Sequence, residues 1–90
     1  MPKPPYHLLF EKRVFKDLDK VPDGELDRLR QAFEQLKLNP RSPRSKKLSG
    51  KEGLYRVRQG NYRVVYTIDD TNKEVKIILI RLRKEAYRKF

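Results

Sequence analysis

Three arginines, Arg56, Arg58 and Arg63, flank the dipeptide Gly60-Asn61 within two β-rich runs, Leu54–Gln59 and Tyr62–Ile68. A Gly-Asn pair between such runs marks a two-residue hairpin turn. With those two residues at the turn, Gln59 pairs with Tyr62, Arg58 faces Arg63, Arg56 faces Val65 and Leu54 faces Thr67. Cross-strand partners share a face, so the three guanidinium groups project from one side of the sheet. The other side carries Tyr55, Val57, Tyr62, Val64, Tyr66 and Ile68, and helices should cover it. Opposed like charges destabilise a strand pair by about a few tenths of a kcal/mol, and neither run contains an Asp or Glu. Rigid strands that present planar, permanently charged forks are suited to grip phosphate oxygens. The competing reading is structural, with arginine stems lying along a solvated sheet. A register slip of one residue would flip the whole set.

The surrounding charge points to a polyanion or an acidic partner. The 90 residues carry 23 Lys+Arg against 12 Asp+Glu, a net charge of +11. The excess is clustered. Residues 41–63 hold Arg41, Arg44, Lys46, Lys47, Lys51 and the three hairpin arginines against Glu52, and residues 79–90 hold Arg81, Arg83, Lys84, Arg88 and Lys89 against Glu85. Like-signed blocks repel themselves unless a polyanion meets them. With no Cys, thiolate catalysis, disulfides and Cys-ligated zinc are excluded, and a reducing cytoplasm is the expected location. The single histidine, His7, cannot build a multi-histidine metal site and is read as structural or exposed; no metal and no cofactor is expected. The longest apolar run, Ile77–Ile80, is far short of the roughly 20 residues of a membrane span. Met1–Pro5 has no apolar core, so no secretory signal is expected there.

The elements that must hold these residues follow from periodicity. Tyr6–Phe10 reads as a first strand. Val14, Phe15, Leu18 and Val21 fall on one face of a helix over about 11–21, with a weak cap at Glu11. After Pro22-Asp23-Gly24, the spacing of Leu26, Leu29, Phe33 and Leu36 predicts an amphipathic helix that ends at Asn39-Pro40. Asp23 and Glu25 sit in its first turn, where the helix dipole favours acids. Residues 39–53 read as a basic loop. The hairpin follows, then a turn at Asp69–Lys73, a strongly apolar strand over Glu74–Leu82, and a short helix or frayed tail at about 83–89. The expected fold is α+β, in the order βααβββ(α), with an antiparallel sheet packed against an N-terminal helical hairpin as one domain over 1–90.

The hairpin and tail resemble the RelE/ParE superfamily of toxins. The matching residues are Leu54–Arg58, Gly60–Tyr66 and Arg83–Arg88, with Lys47–Gly50, Gly53–Tyr55 and Phe15–Leu18 also fitting. In the RelE branch, the resemblance implies a cytoplasmic toxin of a type II toxin-antitoxin system: a ribosome-dependent endoribonuclease that cuts mRNA in the A site and is held inactive by a cognate RelB-like antitoxin. In the ParE branch, the same fold implies inhibition of DNA gyrase. A third reading is an RNA-binding module with degenerate chemistry.

Carried over residue by residue, the resemblance makes Arg63 the strand arginine at the reacting phosphate, Arg83 the arginine ending the last strand, and Tyr87 the tyrosine of the terminal segment. Arg56 and Arg58 stand where some RelE enzymes have lysines, and Leu82 where many have histidine. Arginine stays protonated and cannot readily act as a base. Arg58, Arg63 and Arg83 would therefore stabilise developing charge, with Tyr87 as base or as a base-stacking platform. Arg56 and Lys84 would hold phosphate, and Arg41, Arg44, Lys46, Lys47 and Lys51 would contact the rRNA backbone.

Overall fold

The last strand organises the sheet. The computed structural model describes residues 5–48 and 53–82. In chain order the elements are β1 (His7–Phe10), α1 (Lys12–Asp19), α2 (Asp23–Leu38), β2 (Ser45–Lys47), β3 (Leu54–Gln59), β4 (Tyr62–Asp69) and β5 (Glu74–Leu82). The five strands lie in the order β1-β5-β4-β3-β2. β5 therefore has a neighbour on each side, in keeping with its near-continuous apolar sequence.

The sheet departs from the expected antiparallel pattern in one pairing. β2–β3, β3–β4 and β4–β5 are antiparallel, while β1 runs parallel to β5. Hairpins join antiparallel neighbours, but β1 leads straight into α1, and most of the chain intervenes before β5 is laid beside it. Residues 39–53 are also not all loop: Ser45–Lys47 form β2 and pair with Tyr55–Val57. A three-residue edge strand rich in lysine has too little apolar alternation to announce itself. The terminal helix expected at about 83–89 lies outside the described residues.

One face of the sheet carries the core. Val14 of α1, Leu29, Phe33 and Leu36 of α2, and Val57, Val64, Tyr66, Val75, Ile77 and Ile80 of the sheet form one buried cluster, with Val21 beside them. Tyr55, Tyr62 and Ile68 pack against it, so the hairpin's aromatic face meets the helices as the alternation requires. α1 is shorter than the periodicity suggests, and Glu11 gives it no side-chain cap. Phe15, expected on the core face, is 57% exposed. It stands about 100° around the helix from Val14 and leans on Phe10, 6.1 Å between ring centroids.

Two turns fix the strand ends. Gly60 adopts φ +60, a backbone conformation that favours glycine, and a Cβ there would stand 2.9 Å from Glu25 Oε2, so the end of that flexible side chain would have to shift. At the other end Lys73 takes φ 55, while Asp69 accepts hydrogen bonds from the backbone and side chain of Asn72. Those bonds, the backbone one foremost, lower the Asp69 pKa.

The segment before β2 is anchored to the sheet. The buried Tyr66 hydroxyl donates to the Pro40 carbonyl at 2.6 Å, and its burial raises its pKa. Arg41 pairs through both terminal nitrogens with the two oxygens of Asp70, at 3.0 and 2.9 Å. Tyr6 donates to the same carboxylate at 2.7 Å. Tyr55 stacks on Tyr66, and the Arg41 guanidinium lies 5.6 Å from the Tyr55 ring centre. The hydrogen bonds from Arg41 and then Tyr6 hold the Asp70 pKa at about 2, below its ordinary 3.8. The bond to Asp70 correspondingly raises that of Tyr6.

Tyr66→Phe strands a buried acceptor and is expected to cost about 1–2 kcal/mol, read from urea unfolding; an unchanged midpoint would remove the Pro40 anchor from this account. Asp70 is ionised more readily in the folded chain than in the unfolded one. Its contribution is thus complete above about pH 4 and lost as pH falls through about 2. Asp70→Asn is expected to flatten the stability profile in that window, and a wild-type profile in the variant would contradict the assignment.

Candidate anion-binding face

The sheet face away from the helices carries a row of arginines across three strands. Arg58 of β3 pairs with Arg63 of β4, which pairs with Arg81 of β5. Two residues along, Lys46, Arg56, Val65 and Leu79 form a parallel row on the same face. The register is the one the Gly60-Asn61 turn dictates, and Arg56, Arg58 and Arg63 share a side. Strands stand about 4.8 Å apart, so Arg58 and Arg81 stand on the strands either side of Arg63.

Arg63 is the only charged residue buried among the described residues, at 7% exposure. Its neighbours Val65 and Leu79 are buried too, although the helix-side cluster does not include them. Burying a cation between two like charges is costly unless the surroundings compensate. Arg56, Arg58 and Arg63 each make at least one further interaction. The arrangement concentrates positive potential at one place on rigid strands, the condition for stabilising an anion without reorganisation.

Side chains take over the hydrogen bonding where strand pairing stops on either side of the row. β2 pairs with β3 as far as Ser45–Val57; next to it Arg44 Nη2 donates to the Arg58 carbonyl at 2.7 Å and to Gln59 Oε1 at 3.1 Å. β1 pairs with β5 as far as Phe10–Ile77. Beyond that point the Glu11 amide donates to the Ile77 carbonyl and Arg13 Nε to the Ile78 carbonyl. Asp17 then accepts from the Ile80 amide and from Arg81 Nη1.

The structure thus brings Arg56, Arg58, Arg63 and Lys46 to one face and sets Arg44 at its rim. Lys47, opposite Tyr55, alternates to the helix side of the edge strand. Arg41 is engaged by Asp70 at the far end of β4. Arg83, Lys84, Tyr87 and Lys51 lie outside the described residues. Sequence reasoning missed Arg81 as the third member of the row. Alternation back from the Arg63 pairing could have found it, but the turn at Asp69–Lys73 and a register shift between Val65 and Tyr66 hide the β4–β5 register. Among the described residues no three His, Asp or Glu side chains converge as a metal site. His7 is exposed on the edge strand β1.

A small α+β domain with a helix-backed sheet and a row of arginines on the opposite face defines a recognisable class of compact basic proteins, and comparison narrows it. Residues 8–87 match the family model described as the ParE toxin of the type II toxin-antitoxin system, parDE. The toxin RelE of Mycobacterium tuberculosis is 35% identical over 85 residues, covering 93% of this chain and 88% of that one. The RelE–RelB complex of Pyrococcus horikoshii superposes with a TM-score of 0.76 at 32% identity, covering 87% of this chain and 94% of its counterpart. The toxin-antitoxin complex RelBE2 of M. tuberculosis gives 0.77 at 33% identity, with 88% and 99% covered. The chain belongs to the RelE/ParE family of type II toxin-antitoxin toxins.

An arginine row that binds oxyanions is expected to distinguish phosphate from chloride. At equal ionic strength, phosphate or sulfate should raise the melting temperature by several degrees more than chloride, since binding adds to screening. Identical shifts for all three anions would mean that the row is screened by salt and binds no oxyanion.

Proposed function

We propose that this toxin is a ribosome-dependent endoribonuclease that cleaves mRNA in the A site without a metal ion and so arrests translation. The observation that carries the reading is the buried Arg63 between Arg58 and Arg81 on the sheet face opposite the helices. RNA can be cut by its own 2′-hydroxyl: the oxygen attacks the adjacent phosphorus, a base takes its proton, and the 5′-oxygen leaves with a proton from an acid. The product is a 2′,3′-cyclic phosphate. Guanidinium groups serve the middle of this sequence, where charge accumulates on the phosphorane oxygens.

In this reading Arg58, Arg63 and Arg83 stabilise the reacting phosphate. Tyr87 acts as base or as a platform for a nucleobase, since neighbouring cations favour its phenolate. Arg56 and Lys84 hold flanking phosphate. Arg44, Lys46, Lys47 and Lys51 meet the rRNA backbone, and Arg41, already paired with Asp70, helps to set the position of that basic segment. The partner that restrains the toxin is a RelB-like antitoxin whose acidic segment neutralises the basic blocks. The solved RelE–RelB complex of P. horikoshii supports that assignment. The site of action is the cytoplasm.

A second reading, gyrase inhibition, draws on the ParE description of the matching family. Primer extension on mRNA after brief induction separates the two. Codon-phased cuts are expected, whereas arrested DNA supercoiling with intact mRNA would establish the second reading in place of the first. Arg63→Ala and Arg83→Ala are each expected to lower cleavage at least about 100-fold while antitoxin binding persists, measured with purified ribosomes and by co-purification. Undiminished cleavage by the Arg63 variant would remove the arginine row from the mechanism.

A further inference from the structure

We infer that Asp17 is a positioning residue for the arginine row, acting through Arg81. The inference deepens the nuclease reading and rests on it only for its kinetic readout.

Past Phe10, no strand among the described residues lies on the outer edge of β5, and α1 packs against that strand. The Glu11 amide and Arg13 Nε fasten the start of α1 to the carbonyls of Ile77 and Ile78. The carboxylate of Asp17, about one and two-thirds turns beyond the N-cap Glu11, is thereby delivered to a fixed point. Its side chain is 11% exposed. One oxygen, Oδ2, accepts the Ile80 amide at 3.1 Å. The other, Oδ1, accepts Arg81 Nη1 at 2.6 Å, and Nη1 also donates to the Ile80 carbonyl at 3.0 Å.

A carboxylate that binds both a strand's backbone and the next residue's guanidinium fixes the two relative to each other. The row depends on this, because Arg58 and Arg63 lie on the two paired strands of one hairpin, whereas Arg81 stands on the stretch of β5 past its pairing with β1, beside α1. Asp17 engages Arg81 through Nη1, and Nε and Nη2 lie outside that contact. It also sets one negative charge at the end of three adjacent positive ones, easing their mutual repulsion without standing among them. A residue that merely tied α1 to the sheet would need only one of the two bonds.

Asp17→Asn keeps the size of the side chain and an acceptor for the Ile80 amide but loses the charge that holds Arg81. Single-turnover cleavage of ribosome-bound mRNA is expected to slow about 10- to 100-fold with KM changed less than about threefold, and Asp17→Glu should recover part of the rate. In an Arg81→Ala background the Asp17→Asn change should cost nothing further. A full additional loss there, or a rate within about twofold of wild type for Asp17→Asn alone, overturns the inference. A second readout needs no RNA cleavage: the 15N–1H signal of Arg81 Nε, followed while inorganic phosphate is added to the intact protein. Asp17→Asn should broaden that signal and weaken its phosphate response about fivefold or more, with the Arg63 signal less affected. An unchanged Arg81 signal refutes the role of Asp17 whatever the activity. Wild-type protein that fails to cut mRNA yet shows the Asp17-dependent phosphate response would count against the nuclease reading alone.

Discussion

The central constraint is the placement of β4 between β3 and β5. Register alone makes Arg63 the middle of a three-strand row and sends Val64 and Tyr66 to the opposite side. Because side chains alternate with a period of two, the same hydrogen bonds that bury the helix-side core send the three arginines to the other face. The core therefore enforces the charged face: slipping the hairpin by one residue would expose Tyr66 and bury Arg58. Burial of apolar surface at about 25 cal/mol per Å² supplies the drive, and the mutual repulsion of the arginines is smaller than this.

Most of the architecture could be read in the chain because its signals were local. Gly60-Asn61 named the turn, and the four β3–β4 pairs counted outward from it are all present in the structure. Leu29, Phe33 and Leu36 marked the buried face of α2 through their spacing. The start of β5 and its course to Leu82 followed from its apolar run after a polar turn. What escaped was set by distant partners. The parallel pairing of β1 with β5 joins segments more than sixty residues apart, and no local pattern encodes the direction of such a pairing. β2 exists because β3 offers it an edge, not because Ser45–Lys47 favour extended structure. Phe15 was misplaced because an eight-residue helix lying along a strand edge buries a narrower stripe than one lying across a sheet.

The candidate site divides in the same way. Arg56, Arg58 and Arg63 were legible because they sit on the hairpin that carries its own register. Arg81 was not, since its place depends on the β4–β5 register and on a shift between Val65 and Tyr66 that a simple count does not foresee. Arg41 appeared as one more basic loop residue, and only the folded chain pairs it with Asp70. Charge counted along a sequence overstates what a surface offers, because it cannot show which cations already have an acid beside them.

The chain between α2 and β2 has a further consequence for association. It is tied at Pro40 by Tyr66, at Arg41 by Asp70 and Asn39, and at Ser45 by two hydrogen bonds to the Ser42 carbonyl. Fixing a free backbone residue costs about 1–2 kcal/mol of conformational entropy, a penalty here met during folding. A polyanion that met Arg44 and Lys46 would thus find the carrying backbone already held, and its charge attraction would appear as affinity instead of being consumed in ordering a loop.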